Sequence, residues 1–395
     1  MNAISNPPAE AETSWLNSIT SKARKAFEKM ELPVTDESWR KIDLSGLELN
    51  TFQSGTSQTS LTAVSGESRV KTFHELTEDD RNSPLYKIFF QNLTESLDKI
   101  PDIFHAQNLS EIQNGALIEA SKTPETVKLT HKFTSKPQKG SALFHRVFIH
   151  VPDNCDLTVY EEFKGTPSEE ITLWNIHTTA VCGKNASLKY IASGRFTDNE
   201  YHFHNFESIQ ERDSSVHLTV LHEGGISGKS FYTGKIKETG GHFRGIGLGL
   251  GRNREFNDIE MAVEHYADHS ESSLYYRTVL KDRSHSVFTG NLFIPSGLKD
   301  VQSHQMNNNV LLDKKARAES IPKLIIKAES VQCDHGATVG EINEDALLYL
   351  KCRGIPEDDA KSLLVEGFAN EIIDEIPLEE IRERIRDDVK GRMLQ

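Results

Sequence analysis

The sequence predicts a mainly β chain folded as a solenoid, with helical segments at its two ends. Short stretches that alternate apolar and polar residues begin at Leu188, His202, Val216, Ser230, Phe243, Asn257, Ser272 and Val287, a nearly even rhythm of starts. Alternation with period two places one set of side chains on each face of a strand. Strands at such even spacing also suit a sandwich or a propeller. Two further observations favour the solenoid. The run is long, from about Gly115 to Gly340, and its strands are separated by small polar turns such as Thr197-Asp198-Asn199, Gly240-Gly241 and Asp282-Arg283-Ser284. Two-residue Asx-Gly hairpin turns are scarce. Two strands per coil put one coil at about 28 residues, and each coil buries its inward residues on the next.

The chain opens with helical patterns. Trp15, Leu16, Ile19, Ala23 and Phe27 recur at helical spacing between Ser14 and Met30, and Leu32-Pro33 breaks the pattern. Leu85, Ile88, Phe89, Leu93 and Leu97 form one stripe of a second helix over Pro84 to Leu97. The Ser/Thr/Gly-rich stretch between them, about residues 46–68, reads as loop. From about Gly115 helical periodicity gives way to strand alternation.

At Asn343 the texture changes again. Asn343 is an N-cap residue, Glu344 and Asp345 suit the first turn, and Gly354 ends the helix. Pro356 starts a second helix with Ala360, Leu363, Leu364, Phe368 and Ile372 as its stripe, and Pro377 separates it from a third over Leu378 to Met393. From Glu357 onward there are 12 acidic and 6 basic residues, so this tail carries −6 of the net charge of −14. The expected organisation is a mainly helical region over residues 1–112, a β-helix core over 113–342 and a C-terminal helical domain over 343–395.

A net charge of −14 argues against a nucleic-acid partner, which calls for a basic footprint. No apolar run approaches the roughly 20 residues of a membrane span, and Met1 to Thr13, polar and holding Glu10 and Glu12, reads as no signal peptide. Four cysteines, at 155, 182, 333 and 352, form neither a CxxC pair nor a disulfide framework, so a reducing, cytoplasmic setting is expected.

Several motifs have a plainer structural reading. Gly224-Gly225-Ile226-Ser227-Gly228-Lys229-Ser230 looks like a phosphate loop, but Glu223 stands where the first glycine belongs and strand-like sequence follows, so a turn between strands is expected. Gly245, Gly247, Gly249 and Gly251 alternate without the spacing of a dinucleotide loop, and suit close approach of another backbone. His202, His204, His217, His222, His242, His265 and His269 offer imidazoles for metal, although each alone reads as a surface or turn residue. Cys155 and Cys182 read as small buried apolar groups. The densest polar run is Val331 to Gly340. Within it Cys333 and His335 lie two apart, on one face of a strand, where thiolate and imidazole could both reach a soft or borderline metal such as iron. No catalytic constellation of the Ser-His-Asp, paired-Glu or HExxH type stands out, so no catalytic residue is expected.

Four segments carry a family resemblance. They are Gln305-x-Asn307-x-Asn309-Val310-Leu311-Leu312, Ile321-Pro322-Lys323-Leu324-Ile325-Ile326, Cys333-Asp334-His335-Gly336-Ala337-Thr338-Val339-Gly340 and Leu348-Tyr349-Leu350-x-x-Arg353-Gly354-Ile355. In order and spacing they resemble the SufB/SufD family, which builds iron–sulfur clusters. Weaker likeness covers Glu37-x-Trp39-Arg40 and Val287-Phe288-x-Gly290. The C-x-H-G-A-T-V-G run, and the absence of Cys from Asp313 to Ala318, resemble SufD-type more than SufB-type chains.

The resemblance implies a right-handed parallel β-helix core in a non-catalytic scaffold subunit of a cytoplasmic SufB–SufC–SufD complex. It implies a SufB partner, with a homodimer expected in isolation, and a SufC ATPase docked on the C-terminal helices, so that ATP enters only through SufC. It also implies that His335 faces SufB and takes part in assembling a transient cluster or holding iron, with Cys333 as the second family position. The expected ATPase contacts are Leu350, Ile355, Leu363, Leu364 and Phe368. The competing expectations are a β-helix carbohydrate-active enzyme, which normally shows a leader and acidic clusters, and a purely structural scaffold.

Overall fold

The computed structural model describes residues 14–394, apart from 55–56, 66–67, 77–79, 81 and 113. Strands Asn114–Glu119 to Ser330–Glu341 alternate between two sheets, so that from the third onward each pairs in parallel with the strand two places before it. Eight coils of two strands result. Tyr201 stands in register with Ser227, and His285 with Arg317, and these two offsets bracket the expected length of a coil. The observed strands Ser187–Arg195, Glu200–Gln210, Ser215–Glu223 and Ser227–Ile236 match the sequence rhythm.

Inward side chains stack coil on coil into one apolar column that includes Val127, Leu157, Trp174, Leu218, Met261 and Tyr276. The alternating glycines serve this column. A Cβ on Gly247 would lie 2.5 Å from Cδ2 of Tyr276 in one neighbouring coil and 3.0 Å from the Val220 carbonyl oxygen in the other, so glycine there makes room for an aromatic ring as well as for the close backbone expected. The phosphate-loop lookalike is a turn, with Gly224 and Gly225 at φ of +82° and +89°. Its Lys229 is buried against Asp258 at 2.8 Å.

Helix α1 (Ser14–Phe27) buries Leu16, Ile19, Ala23 and Phe27; the side chain of Trp15 lies outside the described residues, as does the segment Met1 to Thr13. Helix α2 (Pro84–Asp98) is capped by Ser83, whose hydroxyl accepts from the Tyr86 N–H at 3.2 Å, and buries Leu85, Phe89 and Leu93. Helix α3 (Ile103–Glu111) precedes the first parallel strand. With the segment around Trp39, these helices cover part of the outer face of one sheet.

The loop expected at 46–68 is a correction. Strand Ser57–Ser65 pairs antiparallel with Glu125–Phe133, and Arg69–Thr72 pairs antiparallel with Asn114–Glu119. The Ser/Thr content that suggested loop is compatible with an edge pairing, because Thr and Val suit extended backbone without a clean apolar alternation.

Helices α4 (Glu344–Cys352), α5 (Glu357–Ile373) and α6 (Glu379–Met393) follow the last strand. Asn343 caps α4 as expected, accepting from the Ala346 N–H at 2.9 Å. Helices α5 and α6 lie on the outer face of the second sheet, where Val365, Ala369, Ile372, Ile381, Ile385 and Val389 meet a row that includes Ile191, Leu221, Ile246 and Leu248. Arg244 clamps Glu375 with bonds of 2.6–2.8 Å, and Arg392 pairs with Glu255. The packed stripe of α5 is thus Ala360, Val365, Ala369 and Ile372, turned away from the expected Leu363 and Leu364. Among the described residues no helix is long and apolar enough to cross a membrane.

Candidate functional site

The last coil consists of Arg317–Ile326 and Ser330–Glu341, and each strand is the end member of its sheet. The row facing the column along the preceding strand, Lys299–Leu311, is polar: Ser303, Gln305, Asn307 and Asn309 are all buried. Asn307 donates to the Tyr276 carbonyl at 2.9 Å. Asn309 donates to Asn307 Oδ1 at 2.8 Å and to the Thr338 carbonyl at 3.0 Å, and accepts from Thr278. These bonds satisfy groups that burial would otherwise leave costly.

Cys333 stands in register with Ser303, and His335 with Gln305. They share one face of the strand, as their spacing requires. Cys333 is half-buried and touches the apolar column, whereas His335 is exposed. Burial pushes the Cys333 thiol up, Asp334 adds to this, and a backbone hydrogen bond from Ser303 opposes it. A metal there would have to displace the thiol proton. On the opposite face Asp334 pairs with His304, and Asn308 accepts from Thr338 at 2.8 Å. Gly336 continues the strand, which runs on to Glu341. A Cβ on Gly336 would lie 2.9 Å from the Met306 sulfur.

Among the described residues no three His, Cys, Asp or Glu side chains come together as a metal-holding group. Cys333 and His335 offer two donors at an open end, so a metal there requires ligands from outside the chain or from solvent.

The expectation that the histidines are surface or turn residues holds for exposed His242 and His269 and fails for His202, His204, His222 and His265, which are buried. His202 meets Asn257 Oδ1 at 3.0 Å, His204 meets the Tyr232 hydroxyl at 3.2 Å, and His265 meets Ser270 and Ser272 at 2.7 and 2.9 Å. Burial depresses His204, His222 and His265 to about 4, opposed at His204 by Glu161. They are therefore neutral core groups at neutral pH. Deeper still, His131 bonds Glu161 at 2.7 Å and the Tyr190 hydroxyl donates to it at 2.5 Å. Burial alone would raise the Glu161 carboxyl, but its partners outweigh that and hold it lowered. Sequence reasoning missed this inner polar row. The available signal was parity: His202 and His204 share a strand face with Phe206.

On the C-terminal helices, Leu363 is 51% exposed, Leu350, Ile355 and Leu364 are half-buried, and Phe368 packs partly against the solenoid flank with the Arg277 guanidinium over its ring. The neighbouring Leu348 and Tyr349 are each 59% exposed.

A family model described as the SufBD core domain of SUF-system iron–sulfur cluster assembly matches residues 133–368. The chain is 25% identical over 256 residues to a SufBD family iron–sulfur cluster assembly protein of Synechocystis sp., covering 63% of this chain and 56% of that protein. It is 24% identical over 277 residues to iron–sulfur cluster assembly protein SufD of Bacillus subtilis, covering 69% of this chain and 63% of the relative. It is 24% identical over 305 residues to SufD of Escherichia coli, covering 77% of this chain and 69% of the relative. The chain thus spans between about half and two thirds of these relatives' length. The matched region takes in the polar row, Cys333 and His335, and most of α5.

Proposed function

The chain belongs to the SufB/SufD family of the SUF iron–sulfur cluster assembly system, and from that membership we propose that it is a SufD-type, non-catalytic scaffold subunit. It works in the cytoplasm beside a SufB-type solenoid and a SufC-type ATPase, and ATP enters through the ATPase alone. Iron or a nascent cluster is its cargo. The observation that carries this reading is the position of Cys333 and His335 on the uncovered last coil of a family-matched solenoid. Two donors on an open face are suited to a site completed by a second chain.

His335 is the ligand in this reading. An exposed imidazole keeps a lone pair available to a borderline metal. Cys333 adds a thiolate only once metal replaces its proton. The ATPase rests on the exposed side of α4 and α5, through Leu350, Ile355, Leu363 and Leu364. Phe368 is held chiefly within the chain.

The test is co-expression with the SufB- and SufC-type partners, followed by iron and acid-labile sulfide assays per folded complex. His335→Ala should leave the complex assembled and lower its iron and sulfide. Full loading in that variant removes His335 from the site. Polysaccharide cleavage by the isolated chain would favour the carbohydrate-active alternative instead.

A further inference from the structure

Three turns join the last four coils to one another along one edge of the solenoid, at residues 252–255, 281–284 and 312–316. They hold six Lys or Arg and three Asp or Glu. The turns on the opposite edge of the same coils, at 237–241, 266–270, 295–298 and 327–329, hold two and three. One edge is therefore basic in a chain whose net charge is −14.

The acids of the basic edge are held within the ladder of turns. Asp282 accepts from the Asn253 N–H at 2.9 Å and Asp313 from the Asp282 N–H at 2.8 Å. Glu255 accepts from the Arg252 N–H at 2.9 Å and pairs with Arg392. The cations are placed differently. Arg254, Arg283, Lys314 and Lys315 are exposed, as is Arg317 at the start of the following strand, and none of the five forms an ion pair among the described residues. The turns present them at fixed spacing. Asn253 and Asp282 take φ of +55° and +59°, a left-handed conformation that Asn and Asp tolerate. The Arg283 N–H donates to the Asn253 carbonyl at 2.9 Å and the Arg317 N–H to the Ser284 carbonyl at 3.0 Å. Successive coils rise by about 4.8 Å, so the three turns make a stripe of about 10 Å along the axis. Beside it Arg254 and Arg283 line a cleft of about 550 Å³, with Gly225, which has no side chain, and Asp198 also in its lining.

We propose that this edge is a docking surface for an acidic segment of a partner protein, whose carboxylates pair with Arg254, Arg283, Lys314, Lys315 and Arg317. Charge complementarity identifies the occupant. A guanidinium matches a carboxylate with two parallel N–H bonds, and Arg is enriched at protein interfaces. A nucleic acid carries a longer track of charge than this stripe, and a chain of net charge −14 repels its continuation. A free phosphate calls for cations that converge on one point, whereas these are spread over three turns. The proposal does not draw on His335 as a ligand, so the two stand or fall separately.

The test is fluorescence anisotropy of the full chain with a labelled peptide of alternating Glu and Gly, about 12 residues long, at low and at physiological salt. The parent chain should bind the peptide, and more weakly at the higher salt. The triple variant Arg254→Glu/Arg283→Glu/Lys315→Glu should bind it about 10-fold or more weakly. Lys327→Glu, at an exposed position of the opposite edge, should leave binding unchanged. The urea midpoint should be the same in all of these chains. If it falls in the triple variant, Arg283→Gln and Lys315→Gln repeat the comparison without adding charge, and each should weaken binding about two-fold. No binding by the parent chain, no loss in these variants, or an equal loss in Lys327→Glu overturns the proposal. Tighter binding of a single-stranded RNA of the same charge overturns the class of partner. Displacement of the peptide by inorganic phosphate, at an ionic strength where chloride does not displace it, makes the edge a small-anion site and overturns the proposal as well.

Discussion

The strand Ser141–Val151 in the second coil and the strand Ser330–Glu341 in the last obey the same ladder geometry, yet they share almost no side-chain environment. The first is buried at nine of its eleven positions, and the last has none that is fully buried. Ser141–Val151 is covered on both faces, by the column inside and by the N-terminal helices and segment outside, so it is buried almost throughout, whereas strands such as Glu125–Phe133 keep the alternation. The last coil rests on one neighbour only. Ile325 and Val339, 46% and 48% exposed, are apolar side chains that nothing among the described residues covers. The interior coils hold the buried apolar side chains, and the last coil holds exposed ones such as Ile325 and Val339.

The sharpest way to break this contrast is a deletion in each region. Tyr276 is buried, fills the space left by Gly247, and stacks on Phe288 with ring centroids 5.0 Å apart. Tyr276→Ala should cost about 3–5 kcal/mol, read as a lower urea midpoint. Val339→Ala in the last coil should stay within about 0.5 kcal/mol. Equal shifts from the two would show that the last coil is as fully determined as the interior.

Acid gives the next effect, and it too belongs to the interior. His204, His222 and His265 titrate near 4 in the fold against about 6.5 in an unfolded chain. Their folded values are depressed, so the unfolded state binds more protons as pH falls. Stability is complete above about 6.5 and is lost progressively as pH drops from there toward 4. Each such group is worth about 2 kcal/mol by pH 5. The Glu223 and Asp258 carboxyls, raised by burial to about 7 and about 6, act in the opposite sense over the same range, so the test compares slopes: His222→Gln should lose less stability between pH 7 and 5 than the parent chain, and equal losses in urea midpoint would mean that this imidazole reaches water in solution.

Much of this architecture was legible in the sequence, and the limits have physical causes. The rhythm of starts from Leu188 to Val287 revealed the coils because each strand must bury alternate residues on the next. The family resemblance pointed to Cys333 and His335, but spacing alone placed them only on a common face. The exposure of His335 and the partial burial of Cys333 follow from their place on the last strand of the sheet, which no local pattern encodes. The segment Ser57–Ser65 was unreadable because its strand is defined by a distant antiparallel partner, Glu125–Phe133, and not by its own alternation. The stripe of α5 was rotated because Leu363, Leu364 and Phe368 outrank Val365 and Ala369 in size, while the flank of the second sheet selects the smaller residues. The buried histidines were mistaken for surface groups because polarity was weighed over strand parity.

The position of the C-terminal helices changes which experiment isolates their partner surface. Removing residues 343–395 would expose Ile191, Leu221, Ile246 and Leu248 and strip Glu255 of Arg392, so a truncated chain should lose stability as well as any partner. A point change on the free side avoids this. Leu363→Asp should weaken capture of the ATPase by about 2 kcal/mol, the scale of an interface hot spot, with the urea midpoint of the isolated chain unmoved. Undiminished capture would transfer the contact to Leu348 and Tyr349.

The smallest expected effect on the isolated chain is the most telling for the last coil. Ile325→Thr and Val339→Thr replace exposed apolar side chains by β-branched ones that suit a strand equally well. Each should change stability by less than about 0.5 kcal/mol, as surface substitutions do. The open strands of this coil nevertheless end both sheets, and an uncovered sheet edge is a template for another chain. If a SufB-type solenoid closes this end, the same two changes remove apolar area from the contact and should weaken the pairing several-fold, measured by sedimentation of the mixed chains. Pairing of undiminished strength, with the chains still folded, would place the partner elsewhere and leave the last coil open in the assembled complex too.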